Sequence, residues 1–133
     1  MERLLIIGCG DIARRALPQL QRRYRVAALV RSPEPALADS GVELIEGDLD
    51  DAGSLATLAG RAERIAHLAP PANSGPIDLR TRNLLAALTP RGRGAMLPRR
   101  FVYLSNRRMK AELGVRLRYS RVQDGVPGIK ETA

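Results

Sequence analysis

The chain has 133 residues and a formal net charge of +8, with 44% hydrophobic and 3% aromatic residues. This length fits one domain with a single aliphatic core, and no apolar run approaches the roughly 18 residues of a transmembrane helix. Cys9 is the one cysteine, which excludes an internal disulfide and favours a reducing compartment. We therefore expect a soluble, cytoplasmic protein without a signal peptide.

The first half of the chain alternates short apolar runs with a segment of helical periodicity. Residues 3–7 form an almost wholly apolar run that ends at a glycine, which is typical of a parallel strand buried on both faces. Residues 11–23 have apolar positions three and four apart, which predicts a helix that Pro18 should kink or shorten. The predicted inward residues of this helix are Ile12, Ala13, Ala16, Leu17 and Leu20. Strands at 25–30 and 42–45 follow, separated by a short helix.

The second half continues this alternation. Asp50 or Asp51 can cap a helix running to about Ala59, since a carboxylate there accepts from backbone N–H groups that lack partners. Further strands are predicted at 64–68 and 101–104, with a helix at 77–88 between them. The predicted inward residues of that helix are Leu84, Leu85 and Leu88. Strands that alternate with helices in this way indicate parallel βαβ units.

The last part of the chain has a different pattern. Residues 107–113 predict a short helix, and residues 115–119 alternate apolar with basic side chains, as in a half-exposed edge strand. Residues 124–133 are expected to be a loop or a frayed tail. We therefore divide the chain into a domain at 1–105 and a C-terminal segment at 106–133 that packs on or extends that domain.

The turn after the first strand, from Gly8 to Ala13, matches the dinucleotide-binding fingerprint G-x-G-x-x-G/A. Gly8 permits the tight turn, Gly10 lets a pyrophosphate approach the backbone, and Ala13 lets the helix pack closely on the sheet. The phosphates would then meet free N–H groups and the positive end of the helix dipole. The motif predicts a Rossmann-like α/β fold, a doubly wound parallel sheet of about five strands, that binds NAD(P) at Gly8 and Gly10. The alternative is a purely structural glycine turn.

The end of the second strand indicates which cofactor is preferred. NAD-binding proteins tend to place an acidic residue there, whereas this chain has Arg31 and Ser32. The planar guanidinium of Arg31 suits a 2′-phosphate, and Arg14 or Arg15 would add a second positive charge. We therefore predict NADP as the preferred cofactor, with NAD possible. In the alternative, Arg31 is solvated and Glu34 accepts from the ribose.

Two later loops complete the predicted site. Asp48 is placed to accept from the adenine amino group, and Leu49 to pack beside the ring. Ala69 and Pro70 follow the fourth strand, at the mouth where open α/β sheets bind ligands, although a stiff structural loop is equally consistent. The predicted cofactor-binding residues are Gly8, Gly10, Asp11, Ile12, Ala13, Arg31, Ser32, Asp48, Leu49, Ala69 and Pro70.

Two reactive side chains have simpler explanations. His67 lies inside the apolar fourth strand, which favours a core histidine over a general base. Cys9 precedes a helix N-terminus, which lowers the pKa of a thiol, but a small packing residue is the commoner role. No cluster of His, Cys and acidic residues has metal-ligand spacing, so no metal is expected.

With these residues in view, the chain resembles the extended or atypical short-chain dehydrogenase/reductase family, particularly its NAD(P)-dependent epimerase/dehydratase-like members. The segments that carry the resemblance, in the family's order, are 8–13, 47–49, 67–71, 81–85 and 101–105. The resemblance implies an oxidoreductase or a sugar-nucleotide epimerase or dehydratase. It also places Ser105, a weak candidate catalytic residue, at the end of the fifth strand, near the family's reacting groups.

The resemblance breaks after Ser105. Family members use a Tyr-x-x-x-Lys pair, but neither Lys110 nor Lys130 has a tyrosine four positions before it. Residues 106–114 look like the C-terminal end of the family instead. The chain thus resembles an internally shortened member with weak or no turnover.

A cofactor-sensing or nucleic-acid-binding regulatory module is the alternative function. The high positive charge favours an anionic partner, although the sparse aromatic residues argue against single-strand stacking. The basic residues that would form such a surface are Arg91, Arg93, Arg99, Arg100, Arg107, Arg108 and Lys110. The exposed edge of the fifth strand predicts a homodimer unless 115–119 covers it.

Overall fold

Five parallel strands form one sheet in the part of the chain that the computed structural model describes, residues 1–70, 77–89, 98 and 100–103. The strands are β1 (Arg3–Ile7), β2 (Arg25–Val30), β3 (Glu43–Glu46), β4 (Arg64–His67) and β5 (Arg100–Tyr103). The helices are α1 (Asp11–Leu20), α2 (Pro35–Asp39) and α3 (Leu79–Leu88), with a 3-10 turn at Ala52–Leu55. The predicted Rossmann-like parallel sheet is confirmed. The tail helix and edge strand predicted within 106–133 lie outside the described residues.

The strand order is β3-β2-β1-β4-β5, so the chain begins at the centre of the sheet and winds outward twice. It first runs from β1 through β2 to β3, and then returns to place β4 on the other side of β1. Ile7, the last residue of β1, is in register with Leu29 of β2 and with His67 of β4. In open α/β sheets, the point where the winding reverses leaves a crevice at the carboxyl ends of the strands. Here the crevice lies between β1 and β4.

Side chains of β1 alternate between two core layers, as expected for a strand buried on both faces. Leu4 and Ile6 belong to one layer, and Leu5 and Ile7 to the other; none of the four is more than 6% exposed. The helical residues of the first layer are Ala13, Leu17 and Leu37, from α1 and α2. The residues of the second layer from the other helical elements are Leu55, Leu84 and Leu88. Helices therefore cover both faces of the sheet.

Several predicted boundaries differ from the observed ones. α1 ends at Leu20 rather than at residue 23, two residues after Pro18, and the N–H groups of Arg23 and Tyr24 both donate to the Leu20 carbonyl. α3 begins at Leu79 rather than at 77, because the Asp78 carboxylate caps it by accepting from the Thr81 N–H. β1 and β2 have the predicted bounds, whereas β3 begins one residue later, β4 ends one residue earlier and β5 begins one residue earlier than predicted, within the usual uncertainty of element ends.

The helix predicted from residue 50 to about residue 59 is wrong. Only the 3-10 turn at Ala52–Leu55 forms there, with Asp51 as its cap. The Ser54 hydroxyl lies 3.1 Å from the Asp48 carbonyl and 2.7 Å from the Asp51 carbonyl, to which it can donate. Such local side-chain hydrogen bonds compete with helix propagation, and Gly53 inside the turn adds to the cost of a helix.

Two predicted inward side chains are exposed instead, Ile12 by 67% and Leu85 by 48%. Ile12 lies in the first turn of α1, next to the glycine loop and beyond the carboxyl end of β1. Leu85 is rotated by about 100° around α3 from the fully buried Leu84, because successive residues turn by that angle in a helix.

None of the helices in the described residues is both long and apolar enough to span a bilayer.

His67 is a core residue, as predicted, with only 1% of its surface exposed. Its Nε2 lies 2.8 Å from the hydroxyl of Thr81, which in turn donates to Asp78 at 2.6 Å. Because that hydroxyl proton is used toward the carboxylate, Nε2 is the donor to Thr81. The imidazole also packs edge-to-face on Phe101, with 6.1 Å between the ring centroids. His67 therefore ties β4 to α3 and to β5.

This arrangement predicts a pH-dependent stability. Burial lowers the pKa of His67 below its usual value, against the opposing effect of the Asp78 carboxylate. A depressed folded pKa contributes stability above the unfolded pKa of about 6.5, and that stability is lost as pH falls through the folded pKa. We expect the melting temperature of the wild type to fall more between about pH 7.5 and pH 5 than that of His67→Gln, which keeps a donor for Thr81 but does not titrate. Equal falls in circular-dichroism melts would contradict this prediction.

Candidate functional site

A cleft of about 270 Å³ lies at the carboxyl ends of β1 to β4, at the point where the winding reverses. Its lining residues are Ile7, Gly8, Cys9, Leu29, Val30, Arg31, Glu34, Gly47, Asp48, Leu49, Asp50, Ala69, Pro70 and Arg80. The predicted site residues among them are Gly8, Arg31, Asp48, Leu49, Ala69 and Pro70. Those that do not line the cleft are Gly10, Asp11, Ile12, Ala13 and Ser32. The cleft therefore brings together the loops after four strands, with six of the eleven predicted site residues in its lining.

Gly8 allows the loops after β1 and β4 to approach each other closely. Its backbone has a φ of +86°, which side-chain-bearing residues rarely adopt. A Cβ at Gly8 would lie 2.4 Å from the nitrogen and 2.6 Å from the Cα of Ala69. Gly8 thus permits the tight turn, as predicted. It also permits a close backbone contact between the loops after β1 and β4, which the fingerprint alone does not indicate.

Gly10 differs from Gly8, because among the described residues its missing side chain is not needed for a close backbone contact. No described atom lies within 4 Å of the position that its Cβ would take, and its φ of −82° is an ordinary one. Gly10 is the N-cap of α1, and no side chain in the described residues caps this helix. The first N–H groups of α1, at the positive end of the helix dipole, therefore have no side-chain acceptor among the described residues.

Two neighbours of Gly10 have contacts that explain their roles. Ala13 is 1% exposed and packs between α1 and the sheet, which agrees with the close approach predicted for the last position of the fingerprint. Asp11 forms an exposed ion pair with Arg15, at 2.9 Å and one helical turn away. The Asp11 carboxylate is thus paired along the outside of α1, so Arg15 is not a free cation for the cleft.

Arginine and glutamate side chains lie at the end of β2. Arg31 is exposed and lines the cleft, and it makes no hydrogen bond or ion pair within the described part of the chain. Arg14, on α1, instead pairs with Glu34 and donates to the Cys9 carbonyl at 3.2 Å. Arg31 is therefore without an ion-pair partner among the described residues, although its charge helps to lower the pKa of Asp50, whereas Arg14 already has a carboxylate partner.

The loop after β3 is held by a set of hydrogen bonds. The Asp48 carboxylate accepts from the Asp50 N–H at 2.9 Å, and the Asp48 N–H donates to the Ser54 hydroxyl at 2.8 Å. The side-chain amide of Asn83 on α3 donates to the Leu49 carbonyl at 2.8 Å. Leu49 is 8% exposed, so it belongs to the core while one edge forms the wall of the cleft. This loop presents one carboxylate and one apolar surface in a fixed arrangement.

Arg80 and Asp50 line the cleft, although the sequence did not identify either as a site residue. The guanidinium of Arg80 binds the Asp50 carboxylate through two hydrogen bonds of 2.9 Å and reaches the Pro70 carbonyl at 3.5 Å. This hydrogen bonding and the charge of Arg80 hold the pKa of Asp50 below its usual value. The contact connects α3 with the loops after β3 and β4. Because the two residues are 30 positions apart, no local pattern could have indicated the pair.

The pKa of the Cys9 thiol does not follow the sequence-based expectation that a helix N-terminus lowers it. Its pKa is raised, mainly by partial burial, and the positive charge of Arg14 opposes the shift only in part. The side chain packs against the core layer beneath α1. Cys9 is therefore a packing residue, which was the simpler of the two explanations.

Other predicted functional residues lie outside the described part of the chain. Ser105 is one of them, and no statement about its surroundings follows. Of the basic surface predicted for a nucleic-acid partner, only Arg100 is among the described residues. It is exposed at the amino end of β5, whereas the cleft lies at the carboxyl ends of the strands. The remaining members, Arg91, Arg93, Arg99, Arg107, Arg108 and Lys110, lie outside the described residues. That surface and the homodimer stay predictions.

The two glycines of the loop predict opposite responses to the same substitution. Gly8→Ala forces a positive φ and a backbone collision, so it should lower the free energy of unfolding by at least about 2 kcal/mol. Gly10→Ala has an allowed φ and open space, so its effect should stay within about 1 kcal/mol of zero. Urea denaturation of both variants tests this difference. Equal destabilisation would show that the close approach to Ala69 is unimportant.

Comparison with known proteins gives matches among solved structures. No protein-family model matches the sequence, and no curated protein matches it. Uronate dehydrogenase from Agrobacterium tumefaciens is 25% identical, with a TM-score of 0.51, over 65% of this chain and 36% of that one, and a variant of it solved with NAD matches equally. Isoflavone reductase is 20% identical, with a TM-score of 0.52, over 65% and 32% of the two chains.

The third comparison is triphenylmethane reductase from Citrobacter sp., solved with NADP(H). It is 22% identical, with a TM-score of 0.56, over 65% of this chain and 33% of that one. This chain spans about a third of the length of these solved structures. Its described residues therefore have the Rossmann-like fold that is found in dehydrogenases and reductases of this type.

Proposed function

We propose that this chain binds a nicotinamide dinucleotide at the crevice between β1 and β4, and that it prefers NADP(H). The observation that carries the proposal is the N-terminus of α1, which no side chain of the described residues caps and which has no described atom near the Cβ position of Gly10, beside a cleft lined by Arg31. Helix N-termini of this kind bind phosphate groups through backbone N–H donors and the helix dipole. The solved dehydrogenase and reductase with NAD and NADP(H) bound support the same class of ligand.

The cleft suits one half of such a ligand. Its volume of about 270 Å³ is close to the lower end of typical small-molecule pockets, about 300 Å³, so it fits an adenosine better than a whole dinucleotide. In our proposal the adenine lies along Leu49, with its amino group directed to the Asp48 carboxylate. The 2′-phosphate meets Arg31 and the neighbouring Ser32.

The rest of the dinucleotide extends across the glycine loop. The pyrophosphate rests on the N–H groups from Gly10 to Ala13, which include those of Asp11 and Ile12. The exposed Ile12 side chain then covers one side of it. The nicotinamide half continues past Ala69 and Pro70, at the end of β4.

We further infer weak or absent turnover, in an internally shortened relative of the extended or atypical short-chain dehydrogenases. Neither Lys110 nor Lys130 follows a tyrosine at the spacing on which the family's proton transfer depends. Ser105 is the one candidate catalytic residue. The likeness to dehydrogenases thus supports cofactor binding more strongly than it supports a reaction.

Calorimetric titration with NADPH, NADP⁺, NADH and NAD⁺ tests the proposal. We expect NADPH to bind in the micromolar range and Gly10→Glu to abolish binding, because its carboxylate enters the space meant for the pyrophosphate. We expect that variant to fold, because no described atom lies within 4 Å of the Cβ position of Gly10. Ala59→Glu is the matched control, since it adds the same charge at an exposed position outside the cleft.

Arg31→Asp tests the preference between the two cofactors. Loss of a charge-assisted contact to the 2′-phosphate should weaken NADPH binding about tenfold to a hundredfold, while NADH binding stays the same or improves. An unchanged ratio of NADPH to NADH affinity would contradict the role of Arg31. A folded wild-type chain that binds none of the four dinucleotides would refute the proposed function and favour a partner-binding module.

A further inference from the structure

Arginine is the first residue of four strands in the described sheet. β1 begins at Arg3, β2 at Arg25, β4 at Arg64 and β5 at Arg100, and these four strands are neighbours. Because neighbouring strands lie about 4.8 Å apart, the four positions form a row of roughly 14 Å. This arginine row lies at the amino ends of the strands, at the opposite end of the sheet from the nucleotide cleft.

Like charges face each other in the arginine row. Arg3 is in register with Arg25, and Arg64 is in register with Arg100. Side chains of like charge at directly opposite positions of neighbouring strands destabilise a sheet. The stability of the sheet therefore does not explain why both register pairs consist of two arginines.

Few carboxylates offset this positive charge. The first residue of each strand and the three residues before it contain, where they are described, seven arginines and three glutamates. Two of the glutamates are already used in ion pairs, Glu2 with Arg64 and Glu43 with Arg61. The third, Glu63, accepts from the backbone N–H of Arg3 at 2.7 Å.

Five of the seven arginines keep their guanidinium groups available. They make no side-chain hydrogen bond or ion pair within the part of the chain that the structure describes, and they are Arg3, Arg22, Arg23, Arg25 and Arg100. Arg22 and Arg23 are exposed in the turn that leads into β2. The amino end of the sheet therefore presents several cations that the fold itself does not use.

Arg3 and Arg25 also line a groove of about 440 Å³ at the amino ends of β1 to β3. Tyr24 lines the same groove and is half-buried. The guanidinium carbon of Arg64 lies 5.5 Å from the centroid of the Tyr24 ring, so one face of this ring already has a cationic partner. The groove thus offers charge rather than an open aromatic platform for an unpaired base.

We propose that the arginine row, together with Arg22 and Arg23, binds the phosphate backbone of a double-stranded nucleic acid without sequence preference. This site is separate from the nucleotide cleft and does not depend on the proposed function. A guanidinium can donate two parallel hydrogen bonds to one phosphate. Duplex DNA carries one charge per about 1.7 Å of its axis, so a row of roughly 14 Å meets phosphates along its whole length. An acidic peptide would first have to be ordered on the surface, which costs affinity.

Fluorescence anisotropy with a labelled DNA duplex of about 20 base pairs tests the proposal on the full chain. We expect binding that weakens steeply between about 0.05 M and 0.2 M salt. About five phosphate contacts predict a slope near −4.5 in a plot of the logarithm of the association constant against that of the salt concentration. No binding at about 0.05 M salt would overturn the proposal.

Single substitutions test whether the surface or only the net charge matters. Arg25→Gln should weaken binding about threefold to tenfold and make the slope shallower by about 1, whereas Arg25→Lys should keep the slope. Arg82→Gln is the matched control, since it removes the same charge from an exposed position on α3 that does not line the groove. Equal losses in Arg25→Gln and Arg82→Gln would overturn the proposed surface.

Circular-dichroism melts show whether the tested variant folds. Arg25→Gln should melt no earlier than the wild type, because it removes one of two like charges in register. If it melts earlier, Arg100→Gln takes its place, with the same loss of duplex binding expected. A normal affinity for the duplex in the substituted variant that folds would overturn the role of the row.

Two further measurements identify the place and the partner. Arg31→Gln removes a charge from the nucleotide cleft and should behave as Arg82→Gln does. A larger loss, matching that of Arg25→Gln, would place the duplex in the cleft and overturn the proposal. A polyglutamate peptide of the same total charge should displace the duplex only weakly. Equal displacement would overturn the phosphate assignment in favour of an acidic protein partner. A chain that binds the duplex but no dinucleotide would refute the proposed function alone.

Discussion

The loops after β1 and β4 approach each other without room for a side chain between them, and the candidate site depends on this contact. The backbone of Ala69 lies where the Cβ of any other residue at position 8 would be. Because the sheet order reverses between these two strands, the contact brings the glycine loop next to the chain that leaves β4. The tight turn also directs the following residues into α1, whose N-terminus begins directly after two residues that line the cleft, Gly8 and Cys9.

Charge pairing around the crevice divides its side chains into two groups. Arg80 with Asp50, and Arg14 with Glu34, form pairs that join neighbouring elements, and these pairs help to hold the walls of the cleft. Arg31 forms no such ion pair among the described residues, although it lines the same cleft and its charge helps to lower the pKa of Asp50. In the proposed nucleotide site the two groups have different roles, since the paired charges hold the loops and Arg31 would supply selectivity.

Much of the fold could be predicted from local patterns. The apolar run of β1 predicted a strand buried on both faces, because such a run has no side for water. The glycine fingerprint between β1 and α1 predicted the tight turn at Gly8, since its spacing reflects backbone geometry. The helix predicted after Asp50 failed for an equally local reason, which was the competition of the Ser54 hydroxyl for backbone carbonyls.

The sequence by itself determined the strands, the glycine turn and the presence of a cation after β2, because each depends on neighbouring residues. The tertiary structure decided which charges remain free. Arg14 and Arg31 have the same chemistry, yet one is paired and the other is not, and the partner Glu34 lies 20 positions from Arg14. The tertiary structure likewise decided that Leu85 faces outward, since the buried side of α3 depends on how the helix lies on the sheet. Contacts between distant residues follow from the order of the strands, and no local pattern records that order.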